Sequence, residues 1–357
     1  MVTPYQADAL IQSTQVGKSD RPVGLCPVVA DCVGYTFCMR IRGGVRVVVA
    51  VALVPMMLVE QSAAWGNDGH RMINRLAAAN LPGDVPEFLR SAAAQDAMEY
   101  YGPEPDRWRG QLEPELSAVN APDHFMDMEY ADLIGGPLPR KRYDFIRALA
   151  VAQKAHPDLA LTPEKVGMQP YVTTEYYERI KSAMRDYRAL AKDHKDTKPV
   201  EAEIVFLCGI MGHFVGDGSQ PLHASIQYNG WTGDNPNGYT TEHRIHAQFE
   251  STFVAANVNA AKDVAPLVVK QPKVLGDVFE DYVKYLRHSQ SLVEETYKLE
   301  KAGGFSGAGT PAGKAFVDER LAAGATELRD IIYTAWVRSA DPVPEYRNGV
   351  RNAPSGE

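Results

Sequence analysis

HFVGDGSQPLH, residues 213 to 223, carries two imidazoles and a carboxylate in one short stretch. A helix over residues 200–216 sets His213 and Asp217 one turn apart on a single face, because residues at i and i+4 are neighbours there. Two ligands then point at one metal ion. The Gly-Ser-Gln-Pro that follows breaks the helix and brings in His223 on the loop beyond. Downstream, His246 and Glu250 repeat the spacing in RIHAQFES, on another helix. A lone HxxxD pair is more often a surface ion pair or a capped helix end than a metal site. Two such pairs with a histidine between them reverse that balance, and nitrogen with carboxylate oxygen is the donor set zinc accepts where thiolates are absent.

Composition describes a soluble globular protein with no basic block to suggest a nucleic-acid groove. The 357 residues are 45% hydrophobic with a mean hydropathy of -0.27, which leaves ample material for a core. The net charge is -8, from 37 basic and 45 acidic residues, with no basic block to form a polyanion groove. Attraction for phosphate would have to come from bound cations. Cys26, Cys32 and Cys38 precede the expected mature chain and leave Cys208, in the apolar run IVFLCGI, as a buried hydrophobe. No disulfide framework is implied.

Residues 39–64 read as an export signal. Arg40, Arg42 and Arg46 form the basic region, VVVAVALVPMMLV the apolar region, and Ser62, Ala63 and Ala64 a small-residue cleavage site. Pro55 and the short length argue against a membrane span. Cleavage is expected after Ala64, giving a secreted or periplasmic protein, and residues 1–38 read as a non-native extension before a start at Met39. Removing residues 1–64 takes away five basic and four acidic residues, so the mature charge is 32 minus 41, or -9.

From Trp65 the pattern is helical. GHRMINRLAAANLP places Met72, Ile73, Leu76, Ala77 and Leu81 on one face before a Pro-Gly stop. Further helices are expected over 86–98, 174–194, 275–302 and 317–339, with residues 99–143 irregular and GGFSGAGTPAG a flexible connector. The absence of repeats and of strand-like alternation predicts one all-α domain, residues 65–345, followed by a flexible tail over 346–357.

The expected mature start, WGNDGH, adds Trp65 and His70 to the candidates. The order WGxxGH, an Asp in a Trp-containing turn, HFxD, HFxGDxxQPLH and HxxxE resembles the S1/P1 nuclease family, relatives of the zinc-dependent phospholipases C. The resemblance implies a mainly helical fold with a trinuclear zinc cleft. Asp106, His124, His213 and Asp217 would hold one ion. Trp65, through amine and carbonyl, would hold a second with His70 and the shared Asp217, and His223, His246 and Glu250 a third. It further implies hydroxide attack on phosphorus, with Asp106 as general base as well as ligand. Asp123 and Asp127 are candidate carboxylates for orienting a ligating imidazole. His156, His194, His243 and His288 fall outside the pattern and read as surface residues.

The implied substrate is single-stranded DNA or RNA, cleaved endonucleolytically, with removal of 3′-phosphates as a further activity and no obligate protein partner. Base stacking would then need exposed aromatic faces. Trp231 and Tyr239, in the Gly-rich YNGWTGDNPNGYTT, are the candidates, whereas Phe125 reads as core. Two departures from the nuclease pattern favour a phospholipase C as the alternative: Glu250 stands where those nucleases carry Asp, and YNGWTGDNPNGYTT replaces a Gly-Gly-Asn stretch. A non-catalytic zinc-binding protein is the remaining alternative, against which the open coordination positions argue.

Overall fold

The computed structural model describes residues 65–110, 113–343, 346–347 and 350–351. The signal-like segment and the extension before it lie outside the described residues, as does most of the C-terminal tail. The elements that place the site are α1 (Gly66–Ala79), α2 (Ala92–Tyr101), α3 (Glu104–Gly110), α4 (Pro114–Asn120), α5 (Gln169–Lys192), α6 (Lys198–Ser219), α7 (Val278–Ser291), α8 (Val293–Lys301) and α9 (Pro311–Arg338). Apart from a two-residue antiparallel pairing of Tyr346–Arg347 with Val350–Arg351, the described residues form no strand. The fold is all-α.

α6 is the central element. Every residue from Leu207 to Ser219 is buried, as expected of a helix apolar on all sides. It is long and apolar enough to cross a membrane, yet α1, α2, α5 and α9 pack around it, which identifies it as a core helix. Small residues on α6 set how closely the others approach. A Cβ at Gly209 would stand 2.6 Å from Tyr101 Cβ, and one at Gly212 would overlap Asn74 Oδ1. Asn74 uses that proximity, donating from Nδ2 to Met98 O and Gly209 O at 2.8 Å each. One buried amide thus ties α1, α2 and α6 together.

Proline-rich segments proved more ordered than their composition suggests. Residues 99–143 hold α3, α4, the 3-10 turn Ala121–His124 and further short turns, and the helix Arg142–Ala155 starts at their end. Pro114 and Pro122 occupy the first turns of their elements, where the missing N–H would be unpaired in any case. The helix expected over 86–98 is interrupted at Ser91, whose Oγ accepts from Ala94 N and caps α2. The one expected over 275–302 divides into α7 and α8. Pro311, in the expected connector, instead opens α9, with Thr310 as its N-cap.

Candidate metal centre

Six short pieces of chain converge on one buried volume. α1 contributes His70, α3 Asp106, the turn Ala121–His124 contributes His124, and the end of α6 His213 and Asp217. The 3-10 turn Pro221–Ala224 brings His223, and a π-helical turn, Gln248–Thr252, follows His246 and carries Glu250. Single π turns recur at functional sites because they re-aim side chains without ending a helix. The donors form three clusters: His70 with His213 and Asp217, Asp106 with His124 and His213, and His223 with His246 and Glu250. Donor atoms within each cluster lie inside 4.8 Å of one another.

Asp217 joins the first cluster through both oxygens. Oδ1 is 3.3 Å from His70 Nε2, and Oδ2 is 3.4 Å from His213 Nε2 and 4.0 Å from His223 Nδ1. His124 Nε2 and His213 Nε2 stand 3.5 and 3.9 Å from Asp106 Oδ1. In the third cluster Glu250 Oε2 is 3.0 Å from His246 Nε2 and 3.6 Å from His223 Nε2.

Four imidazoles are turned the same way by the backbone. His124, His213, His223 and His246 each place Nδ1 at a carbonyl oxygen, of Asn120, Gly102, His124 and Tyr228 respectively, at 2.7 to 2.8 Å. A carbonyl only accepts, so each Nδ1 carries a proton and each ring turns Nε2 toward the cluster, where the neutral form leaves it bare. His223 Nε2 and His246 Nε2 then face each other at 3.1 Å, lone pair to lone pair, which requires a proton or a metal ion between them. Asp106 Oδ2, both oxygens of Asp217, His124 Nε2, His213 Nε2 and Glu250 Oε1 are buried without a hydrogen-bond partner. Acceptors crowded in this way fit a cation.

The ionisation of these groups follows. Burial pushes Asp217 up to about 8 and Asp106 up to about 7, the latter against the pull of Arg109. Burial holds His124 and His213 well below the usual imidazole range. For Glu250 burial acts upward too, but the charge of His246 and hydrogen bonds with His223 and His246 outweigh it and hold the carboxyl at about 2. Such a donor set exchanges protons for metal ions, so its affinity for metal depends on pH.

The sequence profile of the S1/P1 nuclease family matches residues 65–306. The chain belongs to the S1/P1 nuclease family. Membership indicates a phosphodiesterase. No curated protein sequence matches it significantly. Among solved structures it is similar to the alpha toxin from Clostridium absonum, at 14% identity and a TM-score of 0.34 over 78% of this chain and 67% of that one. It is also similar to the alpha-toxin of an avian strain of Clostridium perfringens, at 12% identity and a TM-score of 0.33 over 77% and 64%. The chain spans about two thirds of the length of these structures.

In this S1/P1 nuclease family member Trp65 is fully buried. Its indole Nε1 donates to Gly216 O at 2.8 Å and to Ser219 Oγ at 2.9 Å, and its backbone N lies 3.2 Å from Glu250 Oε2. Its nitrogen therefore stands at the His223–His246–Glu250 cluster, and its carbonyl accepts from Gly69 N at 3.0 Å. Asp123 and Asp127 do not provide the imidazole contacts expected of them, because backbone carbonyls do. Asp123 faces Arg142 at 3.8 Å, and Asp127 lines the cleft.

That cleft is a cavity of about 480 Å³ reaching His124, His223 and His246. Its aromatic walls are Phe125, half-buried rather than core, and Tyr228, 49% exposed. Trp231 and Tyr239 instead pack on each other, with ring centroids 4.8 Å apart, and on Tyr297; neither lines the cleft. Of the histidines read as surface, His243 is exposed and bonds Asn229 O at 2.6 Å.

Arg109 escaped the sequence reading. It pairs with Asp106 at 2.8 Å and lines the cleft, and its i+3 spacing from Asp106 on α3 was the available signal. Gln220 donates to Glu250 Oε2 at 3.0 Å from within the QPLH stretch.

Proposed function

We propose that this chain is an exported zinc phosphodiesterase that hydrolyses single-stranded DNA and RNA, with removal of 3′-phosphates as a second activity. The observation that carries this reading is the position of two aromatic side chains, Phe125 and Tyr228, in a cavity that opens onto His124, His223 and His246. A base can enter such a cavity only if it is unpaired, and an aromatic face binds any base. The signal-like residues 39–64 support export.

Trp65, His70, Asp106, His124, His213, Asp217, His223, His246 and Glu250 would hold three zinc ions. When bound, zinc supplies the Lewis acidity that brings hydroxide into existence near neutral pH and neutralises charge on phosphorus and its leaving oxygen. The side chains do the rest. Arg109, held at its Asp106 partner, offers its guanidinium to a phosphate oxygen at the cleft wall. Asp106 has Oδ1 engaged by Arg109 and keeps Oδ2 for the proton of the attacking water. Phe125 and Tyr228 fix the base and so the register of the phosphodiester.

Hydrolysis of single-stranded DNA by protein beginning at Trp65, with zinc present, chelated and restored, tests the reading against short-chain phosphatidylcholine under the same conditions. Zinc-dependent cleavage of DNA with intact lipid is expected. Glu250 favours the phospholipase C reading, and cleavage of lipid alone would establish it. Tight zinc binding with no hydrolysis of either would leave a zinc-binding protein.

Tyr228→Ala and Phe125→Ala are each expected to raise KM for an oligonucleotide roughly tenfold to a hundredfold, as loss of about 1–3 kcal/mol of stacking requires. The carbonyl of residue 228 remains to hold His246, so kcat should change little. Steady-state kinetics on a short oligonucleotide would show the split, and an unchanged KM in both variants would move the base elsewhere.

A further inference from the structure

One buried amide ties together the supports of two clusters. Gln169, the first residue of α5, is fully buried, and its Nε2 donates to His124 O and to Phe214 O at 3.1 Å each. Both neighbours only accept, so the nitrogen of the amide, and not its oxygen, must face them. His124 O is also the oxygen that receives His223 Nδ1, at 2.7 Å. Phe214 is next to His213 in α6. Gln169 therefore clamps the turn that carries His124 to the helix that carries His213 and Asp217, at the atom that fixes the tautomer of His223. Backbone bonds from Met168 N to Pro122 O at 2.7 Å and from Gln169 N to Phe125 O at 3.3 Å press the start of α5 onto the same turn.

We propose that Gln169 is a positioning residue for metal, acting through the His124 carbonyl, so that the affinity of the His223–His246–Glu250 cluster depends on an amide from a different helix. The proposal rests on the reading of these clusters as metal sites. Stability alone explains Gln169 poorly, because its Oε1 is buried without a partner. An apolar side chain of the same length would remove that unsatisfied oxygen and would strand neither carbonyl. Phe214 O keeps Tyr282 Oη at 2.9 Å, and His124 O keeps His223 Nδ1. The change would, however, release the turn at residues 121–124 from α6. Losing an outer partner of a ligating histidine typically costs 10–100-fold in metal affinity.

Competition between the purified chain and a chromophoric zinc chelator, together with the visible absorption of the cobalt-substituted protein, tests this without reference to hydrolysis. Gln169→Met is expected to keep its helical circular dichroism, to lose roughly 10–100-fold in affinity at one zinc site, and to shift the cobalt bands. Gln169→Asn, which draws the amide back from both carbonyls, should change in the same direction and decides the matter if the Met variant fails to fold. Tyr282→Phe removes a different bond to Phe214 O and leaves His124 O untouched, so it should keep the affinities of the unaltered chain. Unchanged affinities in either folded Gln169 variant would overturn the proposal, as would an equal loss in Tyr282→Phe. If the unaltered chain bound no zinc, the metal reading itself would fail, and this inference with it.

Discussion

Asp217→Asn is expected to lower phosphodiester hydrolysis by roughly a thousandfold or more, about 4 kcal/mol of lost transition-state stabilisation, and to reduce the zinc content of the protein. Asp217 is fully buried and has no hydrogen-bond donor on either oxygen, while imidazole nitrogens of His70 and His213 stand 3.3 and 3.4 Å away. The amide has the same shape and no charge. It cannot replace the shared carboxylate between cations, yet its NH₂ can donate to an imidazole nitrogen. Zinc per chain and kcat/KM would both fall, with helical content retained. A variant with normal zinc content and activity would remove Asp217 from the centre.

Stability should move the other way. Burial holds the Asp217 carboxyl at about 8 and Asp106 at about 7, both above the ordinary carboxylate value, so the metal-free fold favours the protonated acids. Their contribution is complete below the unfolded pKa near 4 and is lost as pH rises through 7 to 8. Buried His124 and His213 are neutral in the fold, and their contribution is lost as pH falls below about 6.5. Between about 4 and 6.5 the two effects offset each other. Above that window the loss from the acids is no longer offset, and His246, which the charge of Glu250 holds above the ordinary imidazole value against its burial, adds a loss of the same sign, so metal-free protein should become less stable toward pH 8. Asp217→Asn should flatten that decline in denaturant melts of the chelated protein, and zinc should reverse it in the unaltered chain, because metal binds the ionised ligands.

Of the clustered donors, His213, Asp217, His223, His246 and Glu250 were legible in their spacing, whereas His70, Asp106 and His124 were legible only through the family resemblance. His213 with Asp217, and His246 with Glu250, announce themselves through helical geometry, and the all-α fold follows from the same periodicity. Less visible was everything that acts through the main chain. The four carbonyls that set the imidazole tautomers belong to Asn120, Gly102, His124 and Tyr228, and no residue type advertises a backbone acceptor. The aromatic walls of the cleft were hidden in the sequence for a related reason. Trp231 and Tyr239 sit in a Gly-rich segment that looks exposed, but Tyr297 is there to receive them, and this contact crosses more than fifty residues of chain. Phe125 is carried to the cleft by the 3-10 turn that ends at His124, a turn whose proline content reads as irregular.

A single residue retained in front of Trp65 is expected to lower hydrolysis at least a hundredfold, about 3 kcal/mol, while leaving the fold intact. The fold is secured by the side chain: the indole bonds Gly216 O and Ser219 Oγ and lies 5.3 Å from the ring of Phe249. In the proposed function, chemistry depends on the nitrogen 3.2 Å from Glu250 Oε2. As a peptide N–H it can only donate to the carboxylate, since its lone pair is delocalised into the amide. As a chain terminus it is an amine with an ordinary pKa near 8, which can release its proton and join the ligands. Protein beginning at Ala64 and protein beginning at Trp65 should therefore show the same helical circular dichroism, but differ in zinc per chain and in activity. The termini can be verified by intact mass. Equal activity from both would mean that Trp65 serves this centre through its indole alone.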